Sequence, residues 1–121
     1  MPKSYTQITA DINRGILKLR EAQPDALTGF SAMAKGAMKN GALSELTKEL
    51  IALAISVVGH CEACIGFHAR SLARLNAPRE QVMEALAVAV YMGGGPALMY
   101  AAEAVHAFEE FSGGTRNPDA A

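Results

Sequence analysis

The chain has 121 residues, half of them hydrophobic, with 6% aromatics, no tryptophan and a formal net charge of −1. That length fits one domain able to bury roughly two-thirds of its unfolded surface, with the apolar volume supplied by Ala, Leu, Val, Ile and Met. The near-neutral charge excludes binding to phosphate backbones, which needs clustered Lys and Arg, so no nucleic-acid partner is expected. No stretch reaches the roughly 18 uninterrupted apolar residues of a membrane span. The opening residues, Met1 to Gln7, also lack the apolar run of a signal peptide. No membrane partner and a cytoplasmic location are therefore expected.

From about Thr6 to Ala22, Ile8, Ile12, Ile16 and Leu19 recur at the spacing of an amphipathic helix, which Gly15 weakens slightly. Pro24 suits a first helical position. Leu27, Phe30, Met33, Ala34, Ala37 and Met38 then continue a second helix to a stop at Asn40-Gly41. Ser44 caps a third helix running to about Gly59, with Glu45 in its first turn and Leu46, Leu50, Leu53 and Val57 as its core stripe. Glu45, Lys48, Ala52 and Ser56 make its opposite, more tolerant face. Glu49 falls inside the apolar stripe, where a carboxylate wants a reason.

Gly59-His60 break the pattern before a fourth helix from about Cys61 to Leu75, which Asn76 stops. Pro78 starts a fifth helix to about Met92. Its run Ala85 to Val90 is apolar all round and calls for burial on every side, in a core or a subunit interface. Gly93-Gly94-Gly95-Pro96 reads as a connector. It lacks the Lys-Ser/Thr ending of a phosphate loop, and no strand precedes it. The sixth helix, about Ala97 to Phe111, presents Leu98, Ala101, Ala102, Val105 and Phe108. The expectation is an all-α, single compact domain of about six helices over residues 1–111. A mobile tail follows over residues 112–121.

Both cysteines and two of the three histidines lie within nine residues, His60 to His68. In a reducing compartment a C-x-x-C pair points to catalysis or metal binding rather than to a staple. Cys61, Cys64 and His68 share one face if this segment is helical. At a helix start, unpaired amides and the positive dipole end favour thiolate over thiol. If the chain reverses at Gly59-His60, Glu49 lies about 15 Å back along one helix and His68 about 12 Å forward along the next, nearly level. Glu49 is then placed to hold and polarise His68, and His68 to take the Cys64 proton. After Cys64 attacks a peroxide or a disulfide, Cys61 can close a disulfide with it.

Other readings stand beside this one. For Glu49 the alternative is an ion pair to Arg70 or Arg74. Cys61, Cys64, His68 and Glu49 also make a plausible zinc set in a non-enzymatic metal or assembly module. His60 reads as a loop histidine with a minor role as second base, His106 as structural, and Met33, Met38, Met83, Met92 and Met99 as core or interface filler.

A Glu, a Cys twelve positions on, then x-x-Cys and x-x-x-His mark the alkylhydroperoxidase D-like branch of the carboxymuconolactone decarboxylase family. Glu49, Cys61, Cys64 and His68 match every position. The chain resembles that branch over about Leu43 to Phe111. The resemblance implies an all-helical fold with the C-x-x-C at the start of a central helix, assembled into trimers or hexamers. It also implies a thiol peroxidase with Cys64 as attacking thiol, Cys61 as resolving thiol, His68 as general base and Glu49 orienting it. The implied reductant is a dithiol, in some members a lipoylated protein, and no cofactor or metal is called for. The chain is shorter than the duplicated peroxidases, so its core would need partners. Decarboxylases of the family generally lack the cysteine pair, which leaves an acid–base reaction on Glu49 and His68 as the alternative chemistry.

Overall fold

Six helices form where caps and periodicity place them, and residues 3–113 of the computed structural model are described here: α1 Tyr5–Ala22, α2 Pro24–Met38, α3 Glu45–Val58, α4 Glu62–Arg74, α5 Arg79–Gly93 and α6 Gly95–Phe111. Ser4 opens α1 by accepting the Gln7 amide, and Ser44 opens α3 by accepting that of Thr47, so each hydroxyl satisfies one orphan donor. Pro24 stands in the first turn of α2, where its missing N–H is no loss. Asn76 adopts φ 55°, the left-handed conformation that ends α4, and Gly94 takes φ 75° between α5 and α6. The helix α6 begins at Gly95, two residues ahead of the expected Ala97, with Pro96 in its first turn. Among the described residues there is no strand, and no helix is long and apolar enough to cross a membrane. The expected mobile tail falls, beyond Gly113, outside the described residues.

The core is built by α3, α4, α5 and α6, with α4 packed on α6 and α3 wedged against both α4 and α5. Leu53, Val57, Ile65, Leu72, Val82 and Phe108 are buried at its centre, and five small alanines of α5 and α6 let the helices approach closely. The start of α1 closes the core through Tyr5 and Thr9. At this crossing Gly66 of α4 leaves no room: an added Cβ would lie 2.7 Å from the Thr9 Cγ2 and 3.1 Å from the Tyr5 ring. Gly66→Ala is expected to destabilise the fold by about 1–3 kcal/mol, the usual effect of overpacking. Urea unfolding checks it, and Thr9→Ser, which removes that methyl, should recover much of the loss.

The apolar stripes of the first two helices behave differently from expectation. Ile12 and Leu19 of α1 are exposed, and α2 buries no residue and touches only α1 and α3. Phe30 and Met33 both stand 63% exposed. The fifth helix buries Val82, Leu86 and Ala89 but leaves Val88, Tyr91 and Met92 in solvent, Tyr91 at 84%. Periodicity identified the right faces as apolar but could not say that a single chain has nothing to lay on them. Ile55, Val58, Val88 and Met92 line an open apolar groove of about 380 Å³ between α3 and α5 that reaches Gly59.

A polar cluster ties the chain's start to α4 and α6. Lys3 pairs with Glu62 and, at 2.7 Å, with Glu103, while the buried Tyr5 donates its phenol hydrogen to Glu103. The Glu110 carboxylate accepts the Tyr5 and Thr6 amides, both at 2.9 Å, and the Ser4 hydroxyl, an acid set against a helix N-terminus. His106, read as structural, contacts the Lys3 carbonyl at 2.8 Å and lies 3.8 Å from Glu110. Burial pushes the Tyr5 phenol upward, reinforced by Glu103. Burial also pushes Glu103 and Glu110 upward, but hydrogen bonds from Lys3 and Tyr5 to the one, and from Thr6, Tyr5 and Ser4 to the other, outweigh it and leave both below the ordinary carboxylate range.

Because the folded values lie below the unfolded ones, the unfolded chain takes up protons first as pH falls. The stabilisation is therefore complete above the ordinary carboxylate range and is lost as pH drops through the folded values. Glu110→Gln should flatten this acid limb without changing stability's slope near neutrality, as thermal melts across pH will show.

Candidate active site

The site is assembled at the reversal between α3 and α4. Gly59 closes α3 with its amide on the Ile55 carbonyl at 2.8 Å, and His60 turns the chain with φ 56°, a region His enters more readily than most residues. The His60 ring lies flat on Tyr100 of α6, centroids 4.7 Å apart. The Cys61 amide then bonds to the Ser56 carbonyl at 3.0 Å. Ser56 was expected on a tolerant face. It is buried instead beneath this turn, its hydroxyl bonded to the Ala52 carbonyl at 2.7 Å.

Cys61 is the N-cap of α4, and its sulfur accepts the Cys64 amide at 3.3 Å. A sulfur at that position meets the unsatisfied donors and positive end of the helix, which stabilise negative charge there. Cys61 and Cys64 are joined as a disulfide with Cα atoms 5.2 Å apart, and both are half-buried. No other cysteine exists in the chain.

Glu49 and His68 meet across the α3–α4 contact, Oε1 to Nδ1 at 2.7 Å. Glu49 is 5% exposed and His68's side chain 32%, so the carboxylate anchors from inside while the imidazole reaches the surface. An ionised Glu49 can only accept, so it fixes the hydrogen on Nδ1 and leaves Nε2 as the free basic nitrogen. The alternative partners are engaged elsewhere or absent from Glu49: Arg70 lies over the Phe67 ring at 5.1 Å. His68 stands one turn beyond Cys64 on the same helix, as the spacing required. Among the described residues, no group of three or more His, Cys, Asp or Glu is arranged to hold a metal ion.

The structure thus joins Cys61 to Cys64 and Glu49 to His68, with α4 carrying Cys64 and His68 one turn apart. Two features were not legible: the His60–Tyr100 stack and the Lys3–Glu62 pair. Both join segments far apart in sequence, so no local spacing signals them.

Taken together, the fold and site define an all-α protein with a cysteine pair at the start of a central helix and a Glu–His pair beside it. The sequence model of the carboxymuconolactone decarboxylase family matches residues 24–107, and the chain belongs to that family. It is similar to a carboxymuconolactone decarboxylase family protein from Legionella pneumophila, solved in its apo form: 55% identical, TM-score 0.88, covering 89% of this chain and 96% of that one. It is 42% identical over 104 residues to an uncharacterized protein of Cupriavidus necator, spanning 86% of this chain and 91% of that protein. Over 84 residues it is 39% identical to uncharacterized protein 4 in the cox locus of Paracoccus denitrificans, spanning 69% and 76% of the two chains.

Proposed function

We propose that the chain is an alkylhydroperoxidase D-like thiol peroxidase or disulfide reductase of the cytoplasm, with Cys64 attacking, Cys61 resolving, His68 as general base and Glu49 orienting it. The observation that carries this reading is the Glu49–His68 contact at 2.7 Å, one helical turn from a cysteine pair able to close a disulfide. His68 Nε2 takes the Cys64 proton, and the thiolate attacks the terminal oxygen of a hydroperoxide. The O–O bond breaks, the proton on His68 goes to the departing alkoxide, and Cys64 holds the hydroxyl as a sulfenic acid. The Cys61 sulfur then attacks the Cys64 sulfur, water leaves, and the disulfide forms. A dithiol, such as one on a lipoylated protein, returns two electrons and two protons and is itself oxidised to a disulfide.

Steady-state consumption of an organic hydroperoxide with reduced lipoamide as donor tests the reading. Turnover that depends on both peroxide and dithiol supports it, and absence of turnover with protein shown to be reduced counts against it. A second reading, acid–base chemistry on a lactone by His68 and Glu49, is favoured by the family's name and by the same contact. Such activity would survive replacement of both cysteines.

The exposed apolar faces support assembly into a trimer or hexamer. Ile55, Val88 and Met92 line one apolar groove between α3 and α5, and Ile51 and Tyr91 on the same two helices are exposed as well. Light scattering should find a multiple of the 12.7 kDa chain mass, and Tyr91→Asp with Met92→Asp should lower it. A wild-type protein running as a monomer would contradict this assembly.

A further inference from the structure

The Cys61–Cys64 loop carries a carboxylate of its own, Glu62, in the first turn of α4. A negative charge flanked by two sulfurs opposes thiolate formation at either of them, against the favourable end of the helix. The structure supplies a counter-charge from the far end of the chain. Lys3 pairs with Glu62 and, at 2.7 Å, with Glu103 of α6, and Glu103 is in turn held by the buried Tyr5 phenol. The Lys3 carbonyl is fixed by His106 at 2.8 Å, so the backbone that carries the lysine is docked on α6 rather than left to wander.

We propose that Lys3 is a positioning residue for the cysteine pair, its ammonium neutralising Glu62 so that the reduced pair can ionise near neutral pH. This rests on the reading of Cys61 and Cys64 as working thiols and adds to it a charge control residing in the chain's first residues. Among the described residues, the charged and titratable groups around the pair are Glu62 and His68 on α4, Glu49 on α3, His60 in the turn, Tyr100 and Glu103 on α6, and Lys3 and Tyr5 from the start of the chain. Of these, Glu49 is hydrogen-bonded by His68, and Glu103 by Tyr5 and Lys3. Glu62 has Lys3.

Lys3 and Glu62 are each a little over 40% exposed, so water and salt screen the effect. Unmasking one charge in that exposed setting should raise the lower thiol pKa by roughly half a unit. The rate of thiolate reaction at neutral pH then falls about threefold.

The test is the pH dependence of alkylation by iodoacetamide, on full-length protein reduced with excess dithiothreitol and desalted, with no peroxide present. Lys3→Gln should raise the lower thiol pKa, and Lys3→Arg should leave it as in the wild type. Glu62→Gln should lower it or leave it unchanged, and adding Lys3→Gln to Glu62→Gln should change little further. The rise in Lys3→Gln should also shrink in 1 M salt. A purely structural tether would break equally in Lys3→Gln and Glu62→Gln and move the thiol in the same direction in both. That result, or no shift in Lys3→Gln, overturns the proposal. Because both variants sit at the exposed surface and no turnover is measured, a protein without peroxidase activity would still give a clear answer here.

Discussion

Replacing Cys64 by serine is expected to lower hydroperoxide reduction by about ten-thousandfold or more, to the level of the reaction without protein. A serine hydroxyl in this place has no accessible anion at neutral pH, and His68, with a free Nε2 but no acidic partner, has nothing to deprotonate. Cys61→Ser should behave differently. The Cys64 thiolate still attacks once, so reduced protein should consume one equivalent of peroxide in a burst and then stall as a sulfenic acid with no neighbouring thiol to displace its hydroxyl. Rapid-mixing peroxide consumption, followed by dimedone trapping of the sulfenic acid, separates the two variants. A burst in Cys64→Ser and none in Cys61→Ser would exchange the two roles.

His68→Gln should slow the reaction by about a hundredfold, the usual worth of a positioned base. The glutamine can still accept or donate a hydrogen bond from α4, so the fold should persist. The pH–rate profile should lose the limb that reports the imidazole. Glu49→Gln tests the inner half of the pair. Its amide can hold the ring but cannot enforce hydrogen on Nδ1, so a fraction of His68 turns the wrong nitrogen toward Cys64. A loss smaller than that of His68→Gln is expected, because the base itself remains. The double variant should lose no more than His68→Gln alone, as expected of two side chains acting as one unit through the 2.7 Å contact between a buried carboxylate and a half-exposed imidazole.

The sequence carried the helices and the Glu49–His68 contact well because both are encoded by local spacing. Ser44, Asn76 and Gly94 act at the helix ends as their side chains or lack of one dictate. Glu49 and His68 could be brought level by counting rise per residue from a single turn, and the structure places them in contact. What could not be read was whatever depends on tertiary or quaternary partners. Ile12, Phe30 and Met92 obey helical periodicity as faithfully as Leu53 and Val57, yet the former lie in solvent and the latter are buried. Apolar spacing reports that a face must be covered, not which surface covers it. Ser56 was misplaced for a related reason: a hydroxyl can satisfy itself on the Ala52 carbonyl of its own helix, so its polarity carried no information about exposure. Lys3 and Glu62, 59 positions apart, had no local signature at all.

The central claim is that Cys61 and Cys64 act together as a two-electron centre. Fully reduced protein treated with one equivalent of an organic hydroperoxide, with free thiols counted before and after and the peptide spanning residues 61–64 weighed by mass spectrometry, tests it most directly. Loss of both thiols together, with a Cys61–Cys64 disulfide and a drop of two hydrogens in peptide mass, is the predicted result. Two free thiols remaining after the peroxide is offered would contradict it.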